Sequence, residues 1–275
     1  MTDLGVELAD LARVEETSPL VNALTNDVSI NDVAQVILHW GGLPVMSDDE
    51  REVGDMVAAA QSLLLNMGTV SEDGESTMIT AGNAANDLGV PVILDPVGVG
   101  ATPTRDRVAE RLASELDVAI INGNHGEISA LTGEQAEVRG VESVGEYADI
   151  AETAIACAQQ YDTVVVASGE TDVVATPETA SEVQTGHEMM GTVVGTGCMQ
   201  GATLATMAGA LEDVEEAALL GTAAFGLAGE AAAAGEFGDY HGPASYSIAF
   251  RDAIAGLSEA DTDPLRERIE RVLEV

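Results

Sequence analysis

Four short apolar runs constrain this chain most: "SLLLNMG" (62–68), "VPVILDPVG" (90–98), "DVAIING" (117–123) and "DTVVVASGE" (162–170). None alternates apolar with polar residues, and all are rich in Val, Ile and Leu. A strand with one wet face alternates, whereas a strand covered on both faces does not. Between the runs lie "GESTMITAGNAANDLG", "TRDRVAERLASEL" and "VESVGEYADIAETAIACAQQ", whose apolar residues return at helical spacing. This β-α-β-α-β-α-β order predicts an α/β fold with a mostly parallel central sheet flanked by helices. No linker or fixed-period repeat interrupts the sequence, so residues 1–275 read as a single domain.

"DVVATPETASEVQTG" differs, because two short segments about a turn predict a hairpin at the edge of the sheet. From Cys198 onward the chain reads as helical, with segments near 198–210, 212–234, 243–257 and 262–273. In the last of these Asp263 can cap, Pro264 fits the first turn, and Leu265, Ile269 and Leu273 recur every four residues.

The charge balance excludes several classes of function. The net charge is -38, spread along the chain, and all ten basic residues are arginine. Such a surface repels nucleic acid and anionic membranes, so neither is expected as a partner. The pattern resembles proteins of salt-loving cells, where molar salt shortens the Debye length to about 3 Å. Without lysine there is no Schiff base and no GxxxxGK[ST] phosphate loop. A phosphate site must then be built from backbone N–H groups, metal ions or arginine. The two cysteines and four histidines lack zinc-site spacing. Cys157 reads as a small buried residue within a helix, and His125 as a surface or loop residue. "MTDLGVELAD" lacks the regions of a signal peptide, and the Ala-rich stretches carry too many small and acidic residues for a membrane span. The expectation is a cytoplasmic protein.

Ligands of open parallel sheets bind beyond the C-terminal ends of the strands. Those ends carry Asn66 to Gly68, Asp95 to Gly98, Asn122 to Glu127 and Ser168 to Glu170. Downstream, "GTGC" (195–198) can form a tight turn opening into a helix, where free N–H groups and the helix dipole attract an anion. The alternative is an ordinary glycine turn. A helix N-terminus is also expected to lower a thiol pKa from its ordinary ~8.5, here for Cys198. In "NHGE", Asn124 and Glu127 can hold water of a hydrated Mg2+, or simply form a capping box. Asp95 can face a metal–phosphate cluster or bond the following loop amides.

In order along the chain, "SPLVNALTNDVSINDVA", "PVM", "NMGT", "GVPVILDPVGVGATPTR", "NHGEISALTG", "SGETDVV" and "GTGC" resemble the ribokinase-like superfamily. Within it they resemble the hydroxyethylthiazole kinases of thiamin salvage, and "GPASYSIAFRDAI" is similar to that family's late helix. The resemblance spans nearly the whole chain. It implies a ribokinase-like fold and ATP- and Mg2+-dependent phosphorylation of the primary alcohol of 4-methyl-5-(2-hydroxyethyl)thiazole. It also implies a homotrimer with active sites at subunit interfaces. By the same resemblance Met46 and Gly195 contact the thiazole and Ser168 touches ATP. Asp95 and Glu127 lie near the metal, holding it through water. Gly195, Thr196, Gly197 and Cys198 form the anion hole, with Cys198 where related enzymes place an aspartate base. Two positions depart from the family pattern. Asn122 replaces an ATP-contacting arginine and brings no charge, and Val194 stands where threonine is common. A kinase for another small alcohol, such as a hydroxymethylpyrimidine, and a nucleotide-binding protein without catalysis are the alternatives. Met46 and "NALTN" favour the thiazole, while Asn122 is the one hint of lost catalysis.

Self-repulsion among the carboxylates makes stability salt-dependent. The melting temperature should rise from dilute buffer to molar KCl; equal melting temperatures in the two would contradict the reading.

Overall fold

The computed structural model describes residues 6–133, 138–139, 142–143, 150–257 and 265–275. A nine-stranded sheet forms the middle layer. Its parallel part runs β2 (Leu43–Val45), β1 (Leu20–Leu24), β3 (Ser62–Asn66), β4 (Val92–Asp95), β5 (Ile120–Asn124) and β8 (Val164–Ser168). Antiparallel strands β9 (Asp172–Ala175), β10 (Thr179–Val183) and β11 (Ile269–Glu274) extend it beyond β8. A separate ribbon pairs β6 (Val138–Arg139) with β7 (Glu142–Ser143).

Period-two geometry sorts the strand residues into two cores. Val21, Ala23, Leu64, Ile93, Ile120 and Val166 face one helical layer. It comprises α2 (Ile30–His39), α8 (Thr196–Ala210), α9 (Val214–Ala234) and α10 (Pro243–Gly256), with the short α1 (Ala12–Thr17) alongside. Leu63, Leu65, Leu94, Ile121 and Val165 face the other layer. There lie α3 (Val53–Ala59), α4 (Glu72–Leu88), α5 (Pro103–Glu115), α6 (His125–Leu131) and α7 (Ile150–Tyr161). The four apolar runs thus become β3, β4, β5 and β8, covered on both sides as expected. Local signals set the helix ends. Ser71 caps α4 by accepting from Gly74 N, and Thr102 caps α5 just before Pro103.

Helix α8 is buried all round from Cys198 to Ala208, between the sheet and α9. Small residues permit the approach: a side chain at Gly209 would lie 2.9 Å from Pro19, and one at Gly221 3.1 Å from Leu204. Helix α9 is long and apolar enough to span a membrane, contrary to the compositional reading, but 78% of its apolar window is buried in the fold. It serves as a core helix.

Two strands were not anticipated, and two expectations need correction: the last helix and the hairpin's place at the edge. Strands β1 and β2 carry no strong sequence signal. Asn22 interrupts the first, its Oδ1 accepting from Ser47 N at 3.2 Å, and the second has three residues. The segment read as a last helix is instead β11, pairing with β10 so that Val183 faces Ile269. A repeat of four residues lies near one helical turn, but it also spans two strand periods. Ile269 and Arg271 therefore share the face toward α9, while a register shift at Val272 turns Leu273 to the other core, and Glu270, Val272 and Glu274 are exposed. Asp263 and Pro264 lie outside the described residues. The β9–β10 hairpin forms as expected, yet β11 covers it and takes the edge.

The α4–α5 contact is tight at Gly82, where an added Cβ would come within 2.4 Å of Leu116 Cδ1. Gly82→Ala should cost about 1–3 kcal/mol through overpacking, measured by chemical denaturation in molar KCl.

Candidate active site

From β1 the chain goes outward to β2 and then returns to β3 on the other side of β1. The crevice at the C-terminal ends of β1 and β3 is therefore the sheet's topological switch point. Strand parity turns the last residues of β3 and β4, together with Asn122 of β5, toward α8. A Cβ at Gly201 of α8 would lie 3.2 Å from Asp95 Oδ2 and 3.4 Å from Asn122 Nδ2. Asn66, Asp95 and Asn122 are all buried.

A hydrogen-bonded network joins these strand ends to the thiol. Asn66 Nδ2 donates to Asp95 Oδ2, and Asn66 Oδ1 accepts from Asn26 Nδ2 at 2.8 Å. The same Asn26 amide lies 2.9 Å from Ser29 Oγ and 3.3 Å from Cys198 Sγ. Asn26 Oδ1 accepts from the N–H groups of Val28 and Ser29, which fixes its orientation.

The glycine turn before α8 has the expected form. Gly195 sits in the left-handed region at φ +88 and caps the helix, which begins at Thr196. The Thr196 hydroxyl donates to the carbonyls of Met190 and Val193, and its N–H faces Val193 O at 3.4 Å. Thr196 thus braces the turn. Among the described residues none accepts from the N–H groups of Gly197 or Cys198. A Cβ on Gly197 would meet nothing within 4 Å, so the turn borders open space at that residue. Asn122 Nδ2 donates to Gly197 O at 3.2 Å, while its buried Oδ1 has no partner among the described residues.

Both carboxylates resist ionisation. Burial, and then the charge of Glu127, hold the Asp95 carboxyl well above its ordinary range, with Asn66 opposing. Burial pushes Glu127 up to about 7, against hydrogen bonds from Gly98 and Asn124. Glu127 Oε1 accepts from Gly98 N at 2.6 Å and Oε2 from Asn124 N at 2.9 Å, while Asn124 Oδ1 accepts from Glu127 N. The capping box therefore exists, and it holds Glu127 within electrostatic reach of Asp95.

The thiol departs from expectation. Burial, and then the charge of Asp95, raise the Cys198 pKa despite hydrogen bonding to Ser29, Asn66 and Asn26. The helix N-terminus does not compensate, because a buried thiolate would face a neighbouring carboxylate in low dielectric.

Met46 follows β2 and packs, partly buried, against the α8-side core. Ser168 ends β8, its hydroxyl 3.4 Å from Gly123 O. His125 is partly buried over Gly169, where a Cβ would lie 2.4 Å from the ring, and its Nε2 is 3.2 Å from Thr171 O. Four residues of the cleft were not singled out from the sequence, Asn26, Arg105, Asp172 and Gln200, and Asn66 was marked only as a strand end. Asp172 accepts from Gly169 N at 3.0 Å and hydrogen-bonds Gln200 of α8, tying the loop after β8 to that helix. Burial raises Asp172 to about 7. Their one sequence signal is position, since Asn66 ends its strand and Asn26 lies two residues beyond β1.

A model of the hydroxyethylthiazole kinase family matches residues 11–260. The chain belongs to the hydroxyethylthiazole kinase family. It is 63% identical to a hydroxyethylthiazole kinase of the haloarchaeon Natronomonas pharaonis, over 99% of this chain and 98% of that one. Its structure resembles that of the hydroxyethylthiazole kinase from Pyrococcus horikoshii, with 31% identity, a TM-score of 0.84, and coverage of 97% and 98% of the two chains. A ribokinase-like superfamily protein from Enterococcus faecalis shares the fold alone, with a TM-score of 0.62 and 10% identity over 92% of this chain and 90% of that one.

Since the thiolate is the species that alkylates, native Cys198 should react with iodoacetamide at pH 7.5 at least about tenfold more slowly than a free thiol. Denaturation should abolish the difference, with peptide mass spectrometry following both cysteines. Rapid alkylation of the native protein would contradict the protonated state.

Proposed function

We propose that this cleft transfers the γ-phosphoryl group of ATP to the primary alcohol of 4-methyl-5-(2-hydroxyethyl)thiazole. The observation that carries the reading is the pair of free N–H donors at Gly197 and Cys198, opening the helix at the switch point of a family member. They offer a transferring phosphoryl group a cradle that costs no reorganisation. With no lysine in the chain, backbone donors take on that task.

The donor set suits Mg2+. Asp95 and Glu127 supply hard oxygens whose mutual repulsion a cation relieves, and Asn122 Oδ1 is a buried acceptor without a partner among the described residues. Mg2+ usually keeps several waters and uses one or two carboxylates. No cluster of three or more His, Cys, Asp or Glu side chains is present among the described residues, which accords with such a site. Bound there, Mg2+ would neutralise charge on the phosphates.

The chain's own residues then divide the work. Gly195, Thr196, Gly197 and Cys198 form the anion hole, in which Thr196 braces the turn and Gly197 and Cys198 donate. Asn122 acts on the nucleotide through the Gly197 carbonyl, and Ser168 borders the ATP side. Met46 and Gly195 contact the thiazole. Because Asn26 donates to sulfur, the Cys198 S–H proton stays available to orient the acceptor hydroxyl. A strong base is not required where the transition state is largely dissociative. The active unit is a homotrimer with sites between subunits. Val28, 73% exposed, and Val194, 78% exposed, support it by presenting apolar surface beside the cleft.

A coupled assay with ATP, Mg2+ and the thiazole alcohol in molar KCl tests the reading. ATP binding without alcohol-dependent turnover would defeat it, as would faster turnover of a hydroxymethylpyrimidine. Cys198→Ala should lower kcat by no more than about 10²-fold and leave measurable kinase activity. Complete loss in a folded, ATP-binding variant would make the thiol an obligatory base.

A further inference from the structure

Arg105 spends its charge unusually for a protein with 48 acidic and ten basic residues. Arg51, Arg107, Arg111, Arg251, Arg268 and Arg271 are each paired with a carboxylate. The Arg105 guanidinium instead donates to three backbone carbonyls: Nη1 to Met67 at 3.1 Å and to Val97, and Nη2 to Gly68 at 2.8 Å. Two turns are tied together in this way, the one after β3 and the one after β4. The planar fork suits the task, because it holds several acceptors at once in fixed directions.

The anchor itself is rigid. Arg105 lies in the first turn of α5, where its N–H donates to the capping Thr102 hydroxyl at 3.3 Å, and Gly100 N donates to Asp106 Oδ1 at 2.7 Å. The arginine stem packs on Gly98, which adopts φ +76, and a Cβ there would lie 3.2 Å from Arg105 Cδ. Gly98 is also the residue whose N–H grips Glu127 Oε1 at 2.6 Å, and Asp95 begins the same turn. Arg105 therefore stands behind the backbone that presents both carboxylates; it hydrogen-bonds neither, and its charge favours the ionised form of Glu127.

We propose that Arg105 is a positioning residue for the divalent-cation site, bracing the turns after β3 and β4 so that Asp95 and Glu127 are held ready for the metal. This rests on the Mg2+ reading above. Without the brace, the turn after β3 loses two carbonyl contacts and the loop from Asp95 to Gly98 loses one, and the two mutually repelling carboxylates are free to separate.

Calorimetry separates this role from a merely structural one. Wild type, Arg105→Lys and Arg105→Ala are titrated with ADP in molar KCl, with Mg2+ and then with EDTA, after circular dichroism has confirmed folding. In the wild type Mg2+ should tighten ADP binding. In Arg105→Ala that increment should fall about tenfold, while binding in EDTA stays unchanged. Arg105→Lys should lie between, since an ammonium supplies charge without the fork, and it decides the matter if the alanine variant does not fold. In the kinase assay the Mg2+ requirement should rise and the thiazole KM should not. A wild-type increment retained in the folded variants overturns this inference alone. A wild type without any increment removes the Mg2+ reading and this inference with it.

Discussion

The cleft is organised by one costly act, the burial of Asp95 at the end of a parallel strand. Removing a carboxylate from water costs several kcal/mol unless hydrogen bonds or opposite charge compensate. Here the nearest charge is another carboxylate, Glu127, and the compensation comes from the Asn66 amide. Asn66 is in turn held by Asn26, and Asn26 by two backbone N–H groups. The polar network at the switch point thus holds a carboxyl group whose ionisation is unfavourable until opposite charge arrives. A site poised in this way gains when a cation arrives, which is the property a nucleotide–metal complex needs.

The same arrangement explains the state of the thiol. A cysteine at a helix N-terminus would ordinarily become more acidic, yet Asp95 and burial act in the other direction. Cys198 is held neutral and hydrogen-bonded, suited to orienting a hydroxyl rather than abstracting its proton. Phosphoryl transfer tolerates this because positioning and charge stabilisation supply most of the rate. The two effects are linked, since the same buried Asp95 also prevents the neighbouring thiol from becoming a strong base.

Charge economy runs through the rest of the molecule. Most of the arginines with described pairs serve as struts on the surface, such as Arg107 and Arg111 on buried Glu75 between α4 and α5. In the proposed function anion binding falls to the main chain, where Gly195 turns and Gly197 leaves space. Backbone donors carry no net charge and are unaffected by the loss of lysine from the sequence.

Sequence alone determined the parallel core, because strands buried on both faces must be continuously apolar and helices beside them must be amphipathic. It also determined the glycine turn that opens α8, since Gly195 and Gly197 before a run of small residues allow a left-handed cap with free amides behind it. What only the tertiary structure decided were matters of partnership. Whether Ile269 and Leu273 lie on a helix or a strand depends on β10 offering an open edge. Whether Asn26, Asn66 and Arg105 matter depends on which turns meet at the crevice, and their neighbours lie 172, 29 and 38 residues away in the pairs that reveal it. The acidity of Cys198 likewise follows from Asp95, brought beside it by the packing of α8 on β4. Local pattern carries information about periodicity and turns, whereas burial, charge and hydrogen bonding across the cleft arise only when distant segments are packed together.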